Sequence, residues 1–126
     1  MKVATWNVNG ITSRLDHVIK WSLEAKPDVL CLQETKIIDG RFPAGKLKAA
    51  GFPHIAAMGE KGYNGVAILS RSELVDVQHN FPDDAADSPK RLIAATVDGV
   101  RIVNVYIPHG TEFGSDKFSF KLDWIS

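Results

Sequence analysis

The chain has 126 residues, of which 44% are hydrophobic and 24% are charged, with 15 basic and 15 acidic side chains. This length suits about one domain, and the apolar fraction excludes a collagen, a coiled coil and a wholly disordered chain. No apolar run approaches the roughly 20 residues that cross a bilayer. The first ten residues lack the unbroken apolar segment of a secretory peptide. We therefore expect a cytoplasmic protein without a membrane partner.

Charge and cysteine content exclude two further classes. The formal net charge is zero, so no global positive field attracts nucleic acid, and any such binding has to come from a local patch. Cys31 is the only cysteine, which rules out a disulfide framework or a cysteine metal cluster within one chain. Because Cys31 lies in an apolar run, we expect an inert, buried thiol.

The first third of the chain predicts a strand, a helix and a second strand. Residues 2–8 indicate a strand with little solvent on either face. Thr12 or Ser13 is a suitable cap for the helix that follows, and Pro27 stops it. Apolar residues recur along this helix at helical spacing, namely Leu15, Val18, Ile19 and Leu23. Residues 29–32 predict a second buried strand, so the opening is βαβ-like, although the sequence does not prove the strands parallel.

The rest of the chain is rich in strand patterns. A short helix is predicted over 46–50 and ends at Gly51. Turn-bounded strands are predicted over 54–57, 65–70, 74–79, 91–97 and 101–107. Asp98-Gly99 between the last two predicts a two-residue hairpin turn. Residues 81–89 indicate an exposed loop, and helical spacing resumes over 115–125.

Asn7 and Glu34 stand at or just past the ends of the first two predicted strands. If these strands are neighbours, both side chains lie where ligands sit in open α/β sheets. Mg²⁺ commonly takes one or two carboxylates and keeps several waters, so a glutamate with a nearby asparagine amide makes a plausible half-site. From the residues alone, a glutamate after a strand is more often a solvated loop residue, and an asparagine at such a place more often satisfies loop backbone.

Four sequence words give the chain a family resemblance: Trp6-Asn7-Val8-Asn9-Gly10, Leu32-Gln33-Glu34-Thr35-Lys36, Gly62-Tyr63-Asn64-Gly65-Val66-Ala67 and Tyr106-Ile107-Pro108-His109-Gly110. In order and approximate spacing they resemble the exonuclease III family of apurinic/apyrimidinic endonucleases, within the endonuclease/exonuclease/phosphatase superfamily. The resemblance spans nearly the whole chain. It implies an α/β fold, the deoxyribonuclease I-like four-layer sandwich, in which two mixed sheets pack face to face with helices outside.

The resemblance also implies roles for three residues. Glu34 matches the metal ligand, and Asn7 matches its neighbour in the metal shell, which positions catalytic groups. Tyr106 matches the active-site tyrosine beside the scissile phosphate. A phenol with an ordinary pKa of roughly 10 is a poor base near neutrality, so we assign Tyr106 to electrostatic stabilisation or proton donation. The implied cofactor is Mg²⁺, with Mn²⁺ as an alternative, and the implied reaction is hydrolysis of a DNA phosphodiester.

Six residues are candidates for contact with DNA: Lys36, Tyr63, Asn64, Lys90, Arg91 and His109. Tyr63 and Asn64 resemble the family loop that approaches the duplex, and their flanking glycines allow backbone to come close to phosphate; an ordinary hairpin turn is the alternative. Lys90 and Arg91 are also readable as solvated charges. His109 departs from the amide residue more usual at its position, which leaves its role open.

Two segments of the family pattern do not occur in the 126 residues. One is a Gly-Asp-x-Asn segment that supplies the water-activating aspartate, and the other is a terminal Ser-Asp-His segment. We therefore interpret residues 1–126 as the amino-terminal part of a single domain without its carboxyl-terminal half. Loss of the water-activating group alone typically costs about 10²- to 10⁴-fold in rate, so we expect the chain by itself to be inactive.

This interpretation has a consequence for packing and leaves three function classes. Without the other half, an apolar sheet face is exposed, and we expect self-association through it or pairing with the missing half. The leading function is a Mg²⁺-dependent DNA-repair hydrolase acting on double-stranded DNA at abasic sites or 3′ ends. The alternatives are a superfamily phosphatase acting on phosphoinositide-like substrates, and a non-catalytic fragment that binds DNA or a partner.

Overall fold

The computed structural model describes residues 1–59, 64–79 and 92–106, and begins with a strand–helix–strand unit. Its elements are β1 (Val3–Asn7), α1 (Ile11–Ala25) and β2 (Val29–Gln33). β1 and β2 pair in parallel, with Asn7 opposite Gln33 at their carboxyl ends. The βαβ-like opening is therefore confirmed, and the structure adds that its two strands are parallel.

The buried stripe of α1 differs in one position from the predicted apolar face. Ile11, Val18 and Ser22 are fully buried, whereas Leu23 is 55% exposed. Buried positions on a helix recur every three or four residues, and Ser22 rather than Leu23 continues the stripe from Val18. The prediction was wrong at Leu23. The helix ends at Ala25, as the following Pro27 predicts.

The start of α1 also differs from the prediction. The helix begins at Ile11, so Thr12 and Ser13 lie inside its first turn, and the cap position is Gly10 at φ 100 without a side-chain cap bond. Instead, the backbone N–H groups of Gly10 and Ile11 donate to carbonyls of residues 34–35 at 2.7 and 3.0 Å. These bonds satisfy two of the N–H groups at the helix start that have no partner within the helix. They let the helix begin before Thr12, which is why the predicted cap was wrong.

The first sheet is four-stranded and mixed. It adds α2 (Ala44–Ala49), β3 (His54–Met58) and β4 (Val66–Ser70), and its strand order is β1-β2-β4-β3. β4 runs antiparallel to both of its neighbours. Both helices contribute to an apolar core on one face of this sheet, whose buried members include Val18, Leu30, Leu32, Leu47, Phe52 and Leu69.

The second sheet is antiparallel and three-stranded. It consists of β5 (Val75–His79), β6 (Leu92–Val97) and β7 (Val100–Val105), in the order β5-β6-β7. The turn between β6 and β7 places Asp98 at φ 49 and Gly99 at φ 79. Positive φ at both central residues defines the type I′ turn that suits a two-residue hairpin. The predicted Asp-Gly hairpin is confirmed.

The two sheets pack face to face through a second apolar core. Its buried members are Val29, Cys31, Met58, Val66, Ile68, Ile93, Ala95, Val97 and Ile102. Helices therefore cover one face of the first sheet, and the second sheet covers the other. This arrangement confirms the predicted α/β class with a mixed sheet, outer helices and sheets packed face to face.

β1 is more exposed than the sequence predicts. Its side chains alternate, and the face formed by Val3, Thr5 and Asn7 is exposed, with Val3 at 48%. β1 is the edge strand of its sheet, and β7 packs against β2 and β4 instead. A groove of about 400 Å³ lies between Val3, Thr5 and residues 101–105. The expectation of little solvent on either face was therefore wrong.

Two sequence-based expectations lie outside the described residues. They are the exposed loop over 81–89 and the helix over 115–125. In the ranges that the structure describes, no helix is long and apolar enough to span a membrane.

Candidate active site at the strand ends

The structure places Asn7 and Glu34 at adjacent strand ends. Asn7 is the last residue of β1 and pairs with Gln33, the last residue of β2, and Glu34 follows directly. The parallel pairing brings both side chains to the same edge of the sheet, as expected for strands that are neighbours. β4 begins at this edge too, because Val66 is the partner of Gln33 in the antiparallel pair.

Backbone hydrogen bonds hold three loops together at this edge. Residues 34–36 lie between residues 8–11 on one side and residues 64–65 on the other. The bonds on the second side run from Thr35 N to Gly65 O at 3.2 Å and from Lys36 N to Asn64 O at 2.9 Å. The loop that carries Glu34 and Lys36 is therefore fixed from both sides.

The same loops concentrate unusual backbone conformations. Among the described residues, seven non-glycine residues have positive φ, and four of them are Asn9, Glu34, Lys36 and Asn64, at φ 47 to 57. Such conformations cost about 1–3 kcal/mol each and persist only where the surroundings impose them. The loop-to-loop hydrogen bonds supply that constraint, so the directions of Glu34 and Lys36 are set by tertiary contacts.

Gly65 permits the close approach of these loops. Its φ is +97, and a Cβ built at this position would lie 2.1 Å from the Oγ1 of Thr35 and 3.2 Å from the N of Lys36. Thr35 itself is 2% exposed, so it has no room to withdraw. Both the positive φ and the lack of room for a Cβ therefore favour glycine at this position.

The charged side chains at the site lie side by side. The Nζ of Lys36 is 4.0 Å from the Oε1 of Glu34, and both side chains are partly exposed. The Nζ of Lys36 also donates to the Oδ1 of Asn9. A partly exposed ion pair contributes at most about 1 kcal/mol to stability. The pair places the Glu34 carboxylate, a group suited to cations, next to the Lys36 ammonium, a group suited to anions, on one surface.

The structure shows Asn7 in the loop-satisfying role that the sequence leaves open. Its Oδ1 accepts from the backbone N of Asn9 at 3.1 Å, which is the loop-satisfying role. A carbonyl oxygen has two lone pairs, so this bond leaves Asn7 able to accept a second partner.

The donor atoms fit part of a magnesium shell. Within 1–59, 64–79 and 92–106, no group of three or more His, Cys, Asp or Glu side chains is placed to hold a metal ion. Glu34 and Asn7 nevertheless offer hard oxygen donors at one sheet edge, and Mg²⁺ binds through one or two carboxylates and several waters. The donor types at this edge therefore fit a hard divalent cation.

Tyr106 directly follows β7 and is half-buried against the core between the sheets. β7 is anchored two residues earlier, where the side-chain amide of Asn104 donates to the backbone carbonyls of Leu32 and Ala67, both at 2.8 Å. These carbonyls belong to β2 and β4 near the edge that carries Glu34. The second sheet thus delivers Tyr106 to the side of the molecule where Asn7 and Glu34 lie.

The sequence analysis missed two buried amides beside this site, those of Gln33 and Asn104. Gln33 Nε2 donates to Thr5 Oγ1 and to Asn104 Oδ1, both at 2.7 Å. The available signal is an amide at a buried position of β7, since Asn104 follows Ile102 on the same face of the strand. A sequence pattern does not reveal that Gln33, 71 positions away, is its partner.

Of the six candidate DNA contacts, two lie within the described residues. Lys36 stands beside Glu34, and Asn64 accepts the backbone bond from Lys36, so both are at the same loop cluster. Four candidates lie outside the described residues: Tyr63, Lys90, Arg91 and His109.

A mixed sheet and an antiparallel sheet packed face to face, with helices outside the mixed sheet, define an α/β sandwich, and sequence comparison gives its family. Residues 4–124 match the model of the endonuclease/exonuclease/phosphatase family. The chain belongs to this family. Divalent-metal dependence is general for its exonuclease III-like members.

Individual relatives agree with this assignment. The chain is 35% identical over 115 residues to the exodeoxyribonuclease III of Haemophilus influenzae, covering 87% of this chain and 42% of the relative. A Neisseria 3′ phosphatase, NExo, solved with a product DNA hairpin, is 45% identical with a TM-score of 0.83, covering 98% of this chain and 48% of that one. An AP endonuclease from Archaeoglobus fulgidus is 43% identical with a TM-score of 0.81, covering 99% and 48%. The chain thus spans about half the length of the proteins it matches.

Proposed function

We propose that the complete protein is a divalent-metal-dependent DNA-repair hydrolase that cleaves phosphodiesters, of the exodeoxyribonuclease III and abasic-site endonuclease type. The observation that carries the proposal is the meeting of a carboxylate, an amide and an ammonium at adjacent strand ends, namely Glu34, Asn7 and Lys36. The relatives named above, which include an exodeoxyribonuclease, a 3′ phosphatase and an AP endonuclease, support it.

In this proposal Glu34 and Asn7 hold the cation, which is Mg²⁺, with Mn²⁺ as the alternative. A bound Mg²⁺ polarises a phosphoryl oxygen and offsets charge on the leaving oxygen. Asn7 also orients the groups around the reacting phosphate. The loop of residues 34–36, fixed between residues 8–11 and 64–65, supports this role. A reactive site requires side chains that are held in one geometry.

The remaining residues bind and orient DNA. Lys36 carries the positive charge that pairs with a DNA phosphate. Asn64 approaches the DNA backbone from the neighbouring turn. The phenol of Tyr106 donates a hydrogen bond to a phosphoryl oxygen or a proton to the leaving group, since a phenol with an ordinary pKa remains protonated near neutrality. Tyr63, Lys90, Arg91 and His109 complete the proposed contact surface. The substrate is double-stranded DNA with an abasic site or a processable 3′ end.

We further propose that residues 1–126 form the amino-terminal half of one domain. The coverage of 42% to 48% of the relatives supports this. The partner of the exposed β1 face is then the rest of the domain, and a chain without it self-associates through that face. The cytoplasmic location inferred from the sequence stays a prediction.

The test compares wild-type complete protein with Glu34→Gln on duplexes that carry an abasic site or a 3′ phosphate. We expect Glu34→Gln to lower kcat at least about 100-fold and to weaken Mg²⁺ binding, because an amide replaces the anionic ligand. The matched control is Glu24→Gln, the same change at an exposed position near the other end of α1, which should keep wild-type kinetics.

Three results would overturn the proposal. The first is equal activity of Glu34→Gln and wild type. The second is turnover of an inositol phosphate without incision of DNA, which identifies a phosphatase of the same superfamily. The third is a gel shift of the duplex without cleavage under any divalent metal, which identifies a binding module.

A further inference from the structure

Three polar side chains from both sheets form one hydrogen-bonded network at the site end of the fold. Gln33 Nε2 donates to Thr5 Oγ1 on β1 and to Asn104 Oδ1 on β7. Asn104 Nδ2 then donates to the carbonyls of Leu32 and Ala67. Gln33 is 9% exposed and Asn104 is 2% exposed. The network therefore joins β1, β2, β4 and β7, largely out of contact with solvent.

Each member of this network stands one or two positions before a proposed site residue. Thr5 precedes Asn7, Gln33 precedes Glu34, and Asn104 precedes Tyr106. Thr5 and Asn7 are alternate residues of β1 and lie on the same face of that strand. The network side chains are therefore one or two peptide units from the strand ends that carry the proposed chemistry.

Directional bonds are needed here because the rest of the contact between the sheets is apolar. Packing of residues such as Val29, Ile68 and Ile93 favours burial but tolerates small sliding of one sheet over the other. Hydrogen bonds of 2.7–2.8 Å weaken steeply when distance or angle changes. A satisfied buried polar network is a device for specifying one arrangement rather than for adding stability, and two buried amides are otherwise costly.

We propose that Thr5, Gln33 and Asn104 are positioning residues that set the relative placement of the Asn7, Glu34 and Tyr106 strand ends across the two sheets. This inference rests on the proposed function for its catalytic consequence. None of the three touches the substrate; they act through the strand ends that follow them.

The mildest test removes one end of the network without touching the core. Thr5 is exposed, and Thr5→Val keeps its shape but removes the hydroxyl acceptor, whereas Thr5→Ser keeps the hydroxyl. In the complete protein we expect Thr5→Val to lower kcat about 10-fold at saturating Mg²⁺ and DNA, with the unfolding temperature and KM near wild type. Thr5→Ser should restore most of kcat. Val103→Thr, at a groove residue of β7 outside the network, is the control and should leave kcat unchanged.

An activity-independent readout keeps this inference separable from the proposed function. In NMR spectra of the complete protein, Thr5→Val should shift the backbone signals of Glu34 and Tyr106, and Thr5→Ser should not. Wild-type protein without nuclease activity would refute the proposed function, while these shifts would still show that the network couples the strand ends. Wild-type kcat in Thr5→Val, equal losses in Thr5→Val and Thr5→Ser, or unmoved Glu34 and Tyr106 signals would each overturn the inference.

Discussion

Cys31 lies between the two sheets, and burial raises the pKa of its thiol to about 12. An unfolded thiol ionises near pH 8.5, so above that pH the unfolded state loses a proton that the folded state keeps. The free energy of unfolding therefore falls as pH rises from about 9 towards 12, and this group contributes about 1.4 kcal/mol per pH unit. Between pH 8 and pH 10, urea unfolding should lose about 2 kcal/mol more in wild type than in Cys31→Ala.

The Cys31→Ala comparison cancels the titration of lysines, which both proteins share. Equal losses of unfolding free energy in the two proteins between pH 8 and pH 10 would contradict the buried-thiol explanation. The location of Cys31 was predictable from the apolar run around it. The size of the pKa shift was not, because it depends on how completely the second sheet covers the residue.

Gly65 and Gly45 form a matched pair for the effect of adding one methyl group. At Gly65 a Cβ meets Thr35 Oγ1 at 2.1 Å and φ is +97, whereas at Gly45 in α2 nothing lies within 4 Å. We expect Gly65→Ala to destabilise by about 2–4 kcal/mol through clash and backbone strain. Gly45→Ala should be neutral or stabilising by up to about 1 kcal/mol, because alanine is the better helix former.

Denaturant unfolding measures the free energy of unfolding of both glycine variants, and Mg²⁺ titration measures their metal affinity. Because a Cβ at Gly65 would meet Thr35 Oγ1 and the N of Lys36, its replacement should also weaken the proposed metal binding at Glu34, and Gly45→Ala should not. Similar unfolding free energies for the two variants would show that the close approach of the loops is not tight.

At the scale of elements, the β6–β7 hairpin isolates backbone strain from packing. Gly99 has φ +79 and open space around a would-be Cβ, so Gly99→Ala should cost only the left-handed backbone penalty of about 1–2 kcal/mol. Asp98→Asn should stay within about 0.5 kcal/mol of wild type, because asparagine also suits the first position of this turn. Thermal or urea unfolding checks both, and a neutral Gly99→Ala would contradict the type I′ geometry.

Local sequence patterns predicted the helices and strands themselves better than they predicted the tertiary contacts around them. The hairpin followed from two residues, Asp98 and Gly99, whose conformational preferences act within the turn itself. The start of α1 did not, because backbone bonds from Gly10 and Ile11 to residues 34–35 begin the helix before Thr12 and Ser13. The N–H groups at a helix start can bond to local or to distant acceptors. A short stretch of sequence does not show a distant acceptor.

At the scale of the whole molecule, residues 1–126 alone should not incise an abasic duplex in the presence of Mg²⁺. The reason is that the proposed cation ligands, Glu34 and Asn7, are present without the water-activating aspartate that the family pattern supplies further along. Mixing the chain with a separately produced carboxyl-terminal portion should restore incision. The control is the same mixture with Glu34→Gln. Clean incision by residues 1–126 alone would refute the prediction.

The sequence by itself determined the order of strands and helices, the hairpin turn and the placement of Asn7 and Glu34 at strand ends. These depend on periodicity and turn chemistry within a few residues. Tertiary structure alone decided that one face of β1 is open, that residues 34–36 are clamped between two other loops, and that Gln33 bonds to Asn104. Each of these requires a partner far away in the chain, 71 positions in the last case, and only the packing of two sheets brings such partners within hydrogen-bond distance.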